Sequence, residues 1–150
     1  MTLADVPASL GLVQLGHRLR TGATMVVCSR YIREEDRRRV GRRYRIYQQL
    51  YRTTARVLLG QDVTDSTYGF RAFDRQYIQA VGTSSNRFSI FPEMTFKVLE
   101  SGGTIEYLSG SPQPVGVGGS EKFKLPNEVL GYAAVLGRAG FHRAGLRRWF

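Results

Sequence analysis

Apolar residues recur at helical spacing near both ends of the chain and cluster into short strand-like runs between them. Leu12, Leu15 and Leu19 mark a helix over residues 7–20. Pro7 suits its first position and Gly22 its stop. Thr24-Met25-Val26-Val27-Cys28 is apolar and β-branched, which predicts a buried strand, parallel because a helix precedes it directly. Residues 32–39 read as a charged loop. A long helix is expected from Val40 to Leu59, with Gly60 ending it. Its stripe of Val40, Tyr44, Tyr47, Tyr51, Thr54 and Leu58 steps by four and three and so keeps one face. Tyr68 to Phe73 is a short strand-like piece, and residues 74–81 suit a short helix. Phe91 to Leu99 reads as a helix with Pro92 near its start and Gly102-Gly103 as its stop. Thr104 to Leu108 alternates like a half-buried strand. Residues 109–120 are rich in Gly, Pro and Ser and predict a flexible loop. A last helix is expected from Pro126 to about Ala139. The order of elements predicts an α/β domain over residues 1–139, followed by a basic amphipathic tail at 140–150. With one clear buried strand, a doubly wound sheet built from this chain alone would be thin.

Charge changes the picture more than composition does. The 150 residues carry 19 Arg and 3 Lys against 12 acids, a net charge of +10. An excess of that size predicts an anionic partner: a phosphate ligand, an anionic lipid surface or nucleic acid. Nucleic acid is the weakest of the three, because no helix-turn-helix, RNP or zinc pattern is present. One cysteine, Cys28, excludes a disulfide framework. No apolar run approaches the roughly 20 residues that span a bilayer, and no basic region followed by an apolar one suggests a signal peptide. Within the long helix Arg38, Arg42, Arg45, Gln49, Arg52 and Arg56 form a second stripe. It is displaced by two residues from the apolar one, or about 200° of rotation. These arginines are therefore expected opposite the core, with no carboxylate between Arg37 and Leu59 to neutralise them.

Two constellations carry candidate chemistry. Ser29, Arg30 and Tyr31 stand at the carboxyl end of the first strand, where open α/β sheets place their ligands. The planar guanidinium fork of Arg30 matches phosphate oxygens. It could equally pair with a carboxylate such as Asp36. Asp65 opens the second constellation, Asp65-Ser66-Thr67-Tyr68-Gly69-Phe70-Arg71. It would either cap its own turn or point into a site. Arg71 would pair with Asp65 or with Glu93 inside the core. Cys28 reads as a small strand-end residue rather than a thiol nucleophile. His17 and His142 show no metal-ligand spacing.

Taken in order, these pieces resemble the family 2 glycosyltransferases of the polyprenol-phosphate (dolichol-phosphate) mannosyl- or glucosyltransferase type. The matching segments are Val26 to Tyr31, Ala55 to Gly60, Asp65 to Phe73, Phe91-Pro92-Glu93-Met94, Gly102 to Tyr107, Ser120 to Leu125 and Leu130-Gly131-Tyr132. They cover residues 7–138 and correspond to the C-terminal half of such enzymes. The resemblance implies an incomplete GT-A, Rossmann-like fold. It implies a peripheral enzyme at the cytosolic, inner face of the membrane, moving a sugar from a nucleotide donor to a polyprenyl phosphate. It carries catalytic roles to Asp65 and Glu93. Substrate and phosphate contacts fall to Ser29, Arg30, Arg45, Arg71, Ser120 and Lys122. The family's Mg2+ or Mn2+ would assist a displacement with inversion. Its Asp-x-Asp pair and nucleotide-binding half have no counterpart here, where Asp5 stands alone, so no metal is expected to bind this chain by itself. A separate N-terminal half is an expected partner. Gly116 to Gly119 stand where the family has a basic residue, and Glu121 intrudes between Ser120 and Lys122.

Overall fold

The structure is a computed structural model, and it describes residues 8–60, 62–67, 69–109 and 125–150. Helix α1 (Ala8–Arg20) leads into strand β1 (Met25–Ser29). Two helices follow, α2 (Glu34–Arg39) and α3 (Arg42–Leu59). Next come strand β2 (Arg71–Phe73), helix α4 (Arg75–Val81), a 3-10 turn (Arg87–Ser89) and helix α5 (Ile90–Glu100). Strand β3 (Ile105–Ser109) and helix α6 (Leu125–Arg143) complete the order. The chain is thus a mixed α/β protein whose small three-stranded sheet, in the order β2-β1-β3, is flanked by helices.

Strand β1 is central and buried along its whole length. It pairs in parallel with β3, Met25 opposite Ile105 through Ser29 opposite Ser109. On its other side β2 runs antiparallel, with Val27 opposite Arg71. Because successive side chains point to opposite faces, β1 feeds two cores. Val26 and Cys28 pack with Leu15 and Ala23, supported by Phe70 and Leu108. Met25 and Val27 pack with Ile78, Met94 and Val98. A third core joins α3 to α5 and α6 through Tyr51, Ala55, Leu59, Phe96, Tyr132 and Val135. Helix α5 is buried from Pro92 to Val98 without a break, as a helix covered on all sides must be.

Local chemistry explains most boundaries. Asp74 caps α4 by accepting the Tyr77 N–H at 2.9 Å. Gly60 closes α3 in the left-handed region at φ 63°, donating to the Arg56 carbonyl at 2.8 Å. Gly103 turns α5 into β3 where a side chain would collide: a Cβ there would lie 3.0 Å from the Val98 carbonyl oxygen.

Several expectations need correction. Residues 34–39, expected as loop, form α2, with Glu34 pairing to Arg37 and, at 3.4 Å, to Arg38. Of the leucines that mark the first helix, Leu12 is 60% exposed, whereas Leu15 is buried. On α3 the buried residues are Gln48, Tyr51, Ala55 and Leu59, so the core stripe steps by four near its end and leaves Leu58 exposed. At about 100° per residue, Arg42, Arg45, Arg52 and Arg56 lie roughly 90° to one side of that buried face. The side opposite the core carries Ile46, Leu50 and Val57 instead, 60%, 65% and 78% exposed. Nor is the arginine stripe wholly unneutralised: Asp62 from the following loop reaches Arg52 at 2.8 Å.

Helix α6 crosses residue 139 and runs to Arg143. The residues after it fold back, the Trp149 N–H donating to His142 Nδ1 at 3.3 Å. The Gly-rich segment at 110–124 lies outside the described residues.

Candidate anion-binding site

Strand β1 delivers Ser29, Arg30 and Tyr31 to the carboxyl end of the sheet. Ser29 is fully buried, and its Oγ accepts the Tyr31 N–H at 3.2 Å, which turns the chain away from the strand. Asp65 comes to the same place and is also fully buried. Its Oδ2 accepts from the Arg30 backbone N–H at 3.5 Å and faces Arg30 Nε at 3.5 Å. Its Oδ1 accepts from Thr67 N at 3.3 Å and Thr67 Oγ1 at 3.5 Å. Asp65 therefore caps its own turn and, from the same buried position, pairs with Arg30 at the end of β1. Arg30 has its carboxylate in Asp65; the side chain of Asp36 lies outside the described residues.

The Arg30 guanidinium also sits over two rings, 5.3 Å from the Tyr44 centroid and 5.7 Å from that of Tyr31. Burial alone would lower its pKa, but Asp65 and Tyr44 outweigh burial and hold it above the ordinary arginine value. Burial pushes the Tyr31 hydroxyl well up, so it stays protonated. Thr67 Oγ1 ties the cluster to α3 through Gln48 Oε1 at 3.2 Å and Tyr44 Oη at 3.4 Å. Tyr44 and Gln48 stand four residues apart on one face of α3, which is why both reach the cluster. Sequence reasoning missed Gln48 as a site residue. Its signal was a polar side chain on the face that buries Tyr51 and Ala55.

Next to this cluster, α3 borders a groove of about 610 Å³. Tyr31 and Thr64 line it together with Arg37, Arg42, Arg45 and Arg52, while Ile46 and Leu50 add apolar surface. Glu34 pairs with Arg37 and Asp62 with Arg52. Among the described residues no carboxylate lies within ion-pair distance of Arg42 or Arg45. Among the described residues the Arg45 Nε is buried with no hydrogen-bond partner, and so is the Tyr31 hydroxyl. A groove lined by arginines that have no carboxylate partner among the described residues is suited to an anion.

Of the remaining expected site residues, Arg71 stays beside the Asp65 turn and feels its charge, whereas Glu93 goes elsewhere. Arg71 is a partly buried tie: Nη1 donates to the Phe91 carbonyl and Thr95 Oγ1, both at 2.9 Å, and Nη2 to the Ser66 carbonyl at 3.1 Å. Burial pushes it down to about 10, still charged at neutral pH. It touches Phe91 at 5.1 Å rather than the groove. Glu93 stands two residues from both Phe91 and Thr95, so it leaves α5 on the opposite side. It accepts from Ser84 N at 2.9 Å and Ser85 N at 2.6 Å and pairs with Lys97 at 3.0 Å. Burial would raise its pKa, but the bonds from Ser85, Lys97 and Ser84 outweigh burial and hold it below the usual carboxylate range. The structure therefore does not bring Glu93 to Asp65. Ser120 and Lys122 lie outside the described residues.

Among the described residues no three His, Cys, Asp or Glu side chains converge. Asp65 is the one carboxylate of the strand-end cluster, and Arg30 and Thr67 engage it, so these residues do not fit a divalent ion. No helix among them is long and apolar enough to cross a membrane. Compared with known proteins, the chain matches no family model, no curated protein and no solved structure.

Proposed function

We propose that this chain is the acceptor side of a GT-A-type glycosyltransferase, inactive by itself, and that its groove holds the phosphate of a polyprenyl phosphate. The observation that supports it best is the pairing of charge and apolar surface on α3. Arg42 and Arg45 line the groove without carboxylate partners among the described residues, while Ile46 and Leu50 border the same space. A lipid phosphate has both features: an anionic head for the guanidinium forks and an isoprenoid chain for the apolar border. Arg30, held by Asp65 and flanked by tyrosines, keeps a fixed positive charge at the end of the sheet. The phosphate is already an anionic nucleophile, so this side of the reaction needs orientation and charge rather than a base. The nucleotide-sugar donor and its metal would belong to a separate nucleotide-binding half.

The test compares geranyl phosphate with geraniol by isothermal titration calorimetry. Geranyl phosphate is expected to bind at least about tenfold more tightly, since charged hydrogen bonds contribute about 1.5–3 kcal/mol each. Arg45→Ala is expected to remove most of that difference. Equal binding of the alcohol, or an unchanged Arg45→Ala variant, sinks the acceptor reading. Sugar transfer by the purified chain unaided would sink the fragment reading.

A second, compatible reading concerns where the chain works. Ile46, Leu50 and Val57 form an exposed apolar line on α3 beside its arginines. A basic amphipathic helix of this kind suits an anionic membrane surface at the inner face, with about 1 kcal/mol from each arginine near the headgroups.

A further inference from the structure

A second cavity, of about 560 Å³, lies between α6, the residues that follow it and Ser84. That volume is in the range of small-ligand sites, about 300–1,000 Å³. Its walls combine three guanidinium groups, Arg138, Arg147 and Arg148, with Phe141 and Trp149. Among the described residues no carboxylate lies within ion-pair distance of any of the three arginines. Arg138 Nη1 donates only a long bond, 3.4 Å, to Ser84 Oγ. Among the described residues the Trp149 indole N–H is buried with no acceptor.

The wall is held firmly from behind. Glu93 fixes Ser84 through its N–H at 2.9 Å and its hydroxyl at 3.2 Å. Lys97 pairs with Glu93 and places its Nζ 5.1 Å from the Trp149 ring centroid. Helix α6 contributes Gly137 to the lining. A Cβ built there meets nothing within 4 Å. Glycine inside a helix costs about 1 kcal/mol relative to alanine, yet packing does not require it at this position. It leaves the cavity open.

We propose that this cavity is a binding site for a phosphomonoester carried on an apolar body, separate from the groove on α3 and independent of the acceptor reading. Three guanidinium forks match a doubly charged phosphate better than a single carboxylate. Phe141, with Ala134 and Gly137 beside it, offers apolar surface to the body of the ligand.

Trp149 is the chain's one tryptophan, so intrinsic fluorescence reports on this cavity. The probes are phenyl phosphate, dihexanoyl phosphatidic acid below its micellar concentration, and inorganic phosphate. Either organic phosphate is expected to shift the emission saturably, and at least about tenfold more tightly than inorganic phosphate. Phenyl phosphate binding identifies a soluble phosphoester; binding of the phosphatidic acid alone identifies a lipid headgroup. Arg138→Ala and Arg147→Ala are each expected to weaken binding about tenfold. Gly137→Leu is expected to block it while the circular dichroism spectrum stays unchanged. No saturable shift, inorganic phosphate binding as tightly as the organic probes, or full binding by folded Gly137→Leu would overturn the proposal.

Discussion

Glu93 and Lys97 stand one helical turn apart on α5 and form an ion pair at 3.0 Å with both side chains almost wholly buried. Lys97 also donates to the Gly82 carbonyl at 2.9 Å, so the pair pins the 82–85 segment to α5. Removing one partner strands the other charge in the interior, which costs about 3–5 kcal/mol. Glu93→Ala is expected to lower stability by that amount in urea unfolding. The double variant Glu93→Ala/Lys97→Met is expected to lose less than the two single losses combined. The folded carboxyl titrates below its ordinary 4.5. Its contribution is therefore complete above that value and declines as the pH falls through the folded pKa. Glu93→Gln should flatten the acid limb of the stability profile below about pH 4.5.

Alkaline behaviour is set by tyrosines. Burial pushes the hydroxyls of Tyr31, Tyr47, Tyr51, Tyr107 and Tyr132 above their ordinary value of 10.0. Folded tyrosines then keep protons that unfolded ones release. The stability they contribute is complete below pH 10 and is lost as the pH rises beyond it. Arg71, pushed down to about 10, acts in the opposite sense, but it is one group against five. Unfolding midpoints measured at rising pH should fall steeply above about pH 10, and Tyr51→Phe should make the fall shallower.

Two glycines separate close packing from open space. At Gly103 an added Cβ would lie 2.7 Å from Val98 Cγ1 and 3.0 Å from the Val98 carbonyl oxygen. Gly103→Ala is expected to cost about 1–3 kcal/mol through overpacking. Gly137→Ala has no such neighbour and is expected to stabilise the chain by up to about 1 kcal/mol. Thermal melts of the two variants should move in opposite directions.

The outward line on α3 is open to a direct test. Leu50 is 65% exposed, so Leu50→Glu should change stability by no more than about 0.5 kcal/mol. Sedimentation with phosphatidylserine vesicles should nevertheless drop several-fold for Leu50→Glu and for Ile46→Glu. Retained vesicle binding by both variants would exclude this face as the membrane contact.

Periodicity and stop signals made the helices other than α2, the buried strand and the strand-end arginine legible. Apolar spacing over residues 7–20 and 40–59 marks the helices but not the face each one buries, and Gly60 and Asp74 carry their own stop and start signals. Partner choice was less legible. Glu93 had its catalytic role from the family resemblance alone; which side of α5 it leaves by depends on the 82–85 segment, whose path has no period. The arginines of α3 were placed opposite the core because the apolar stripe was read through Leu58. The helix buries Ala55 and Leu59 instead, and that small rotation moves every arginine to the flank. Gln48 was missed because burial of an amide is justified only by Thr67, nineteen positions away in the chain.

Strand β3 has one partner among the described residues, β1, and all five of its residues are only partly covered. Its outer row of amides and carbonyls is thus a template as well as a boundary. A strand from another polypeptide segment that registered there in parallel would lengthen the sheet by one. Its carboxyl end would arrive beside Ser109, the residue paired with Ser29 next to the Asp65 cluster. Backbone pairing at this edge would fix where such a segment delivers its side chains before any of them made a contact.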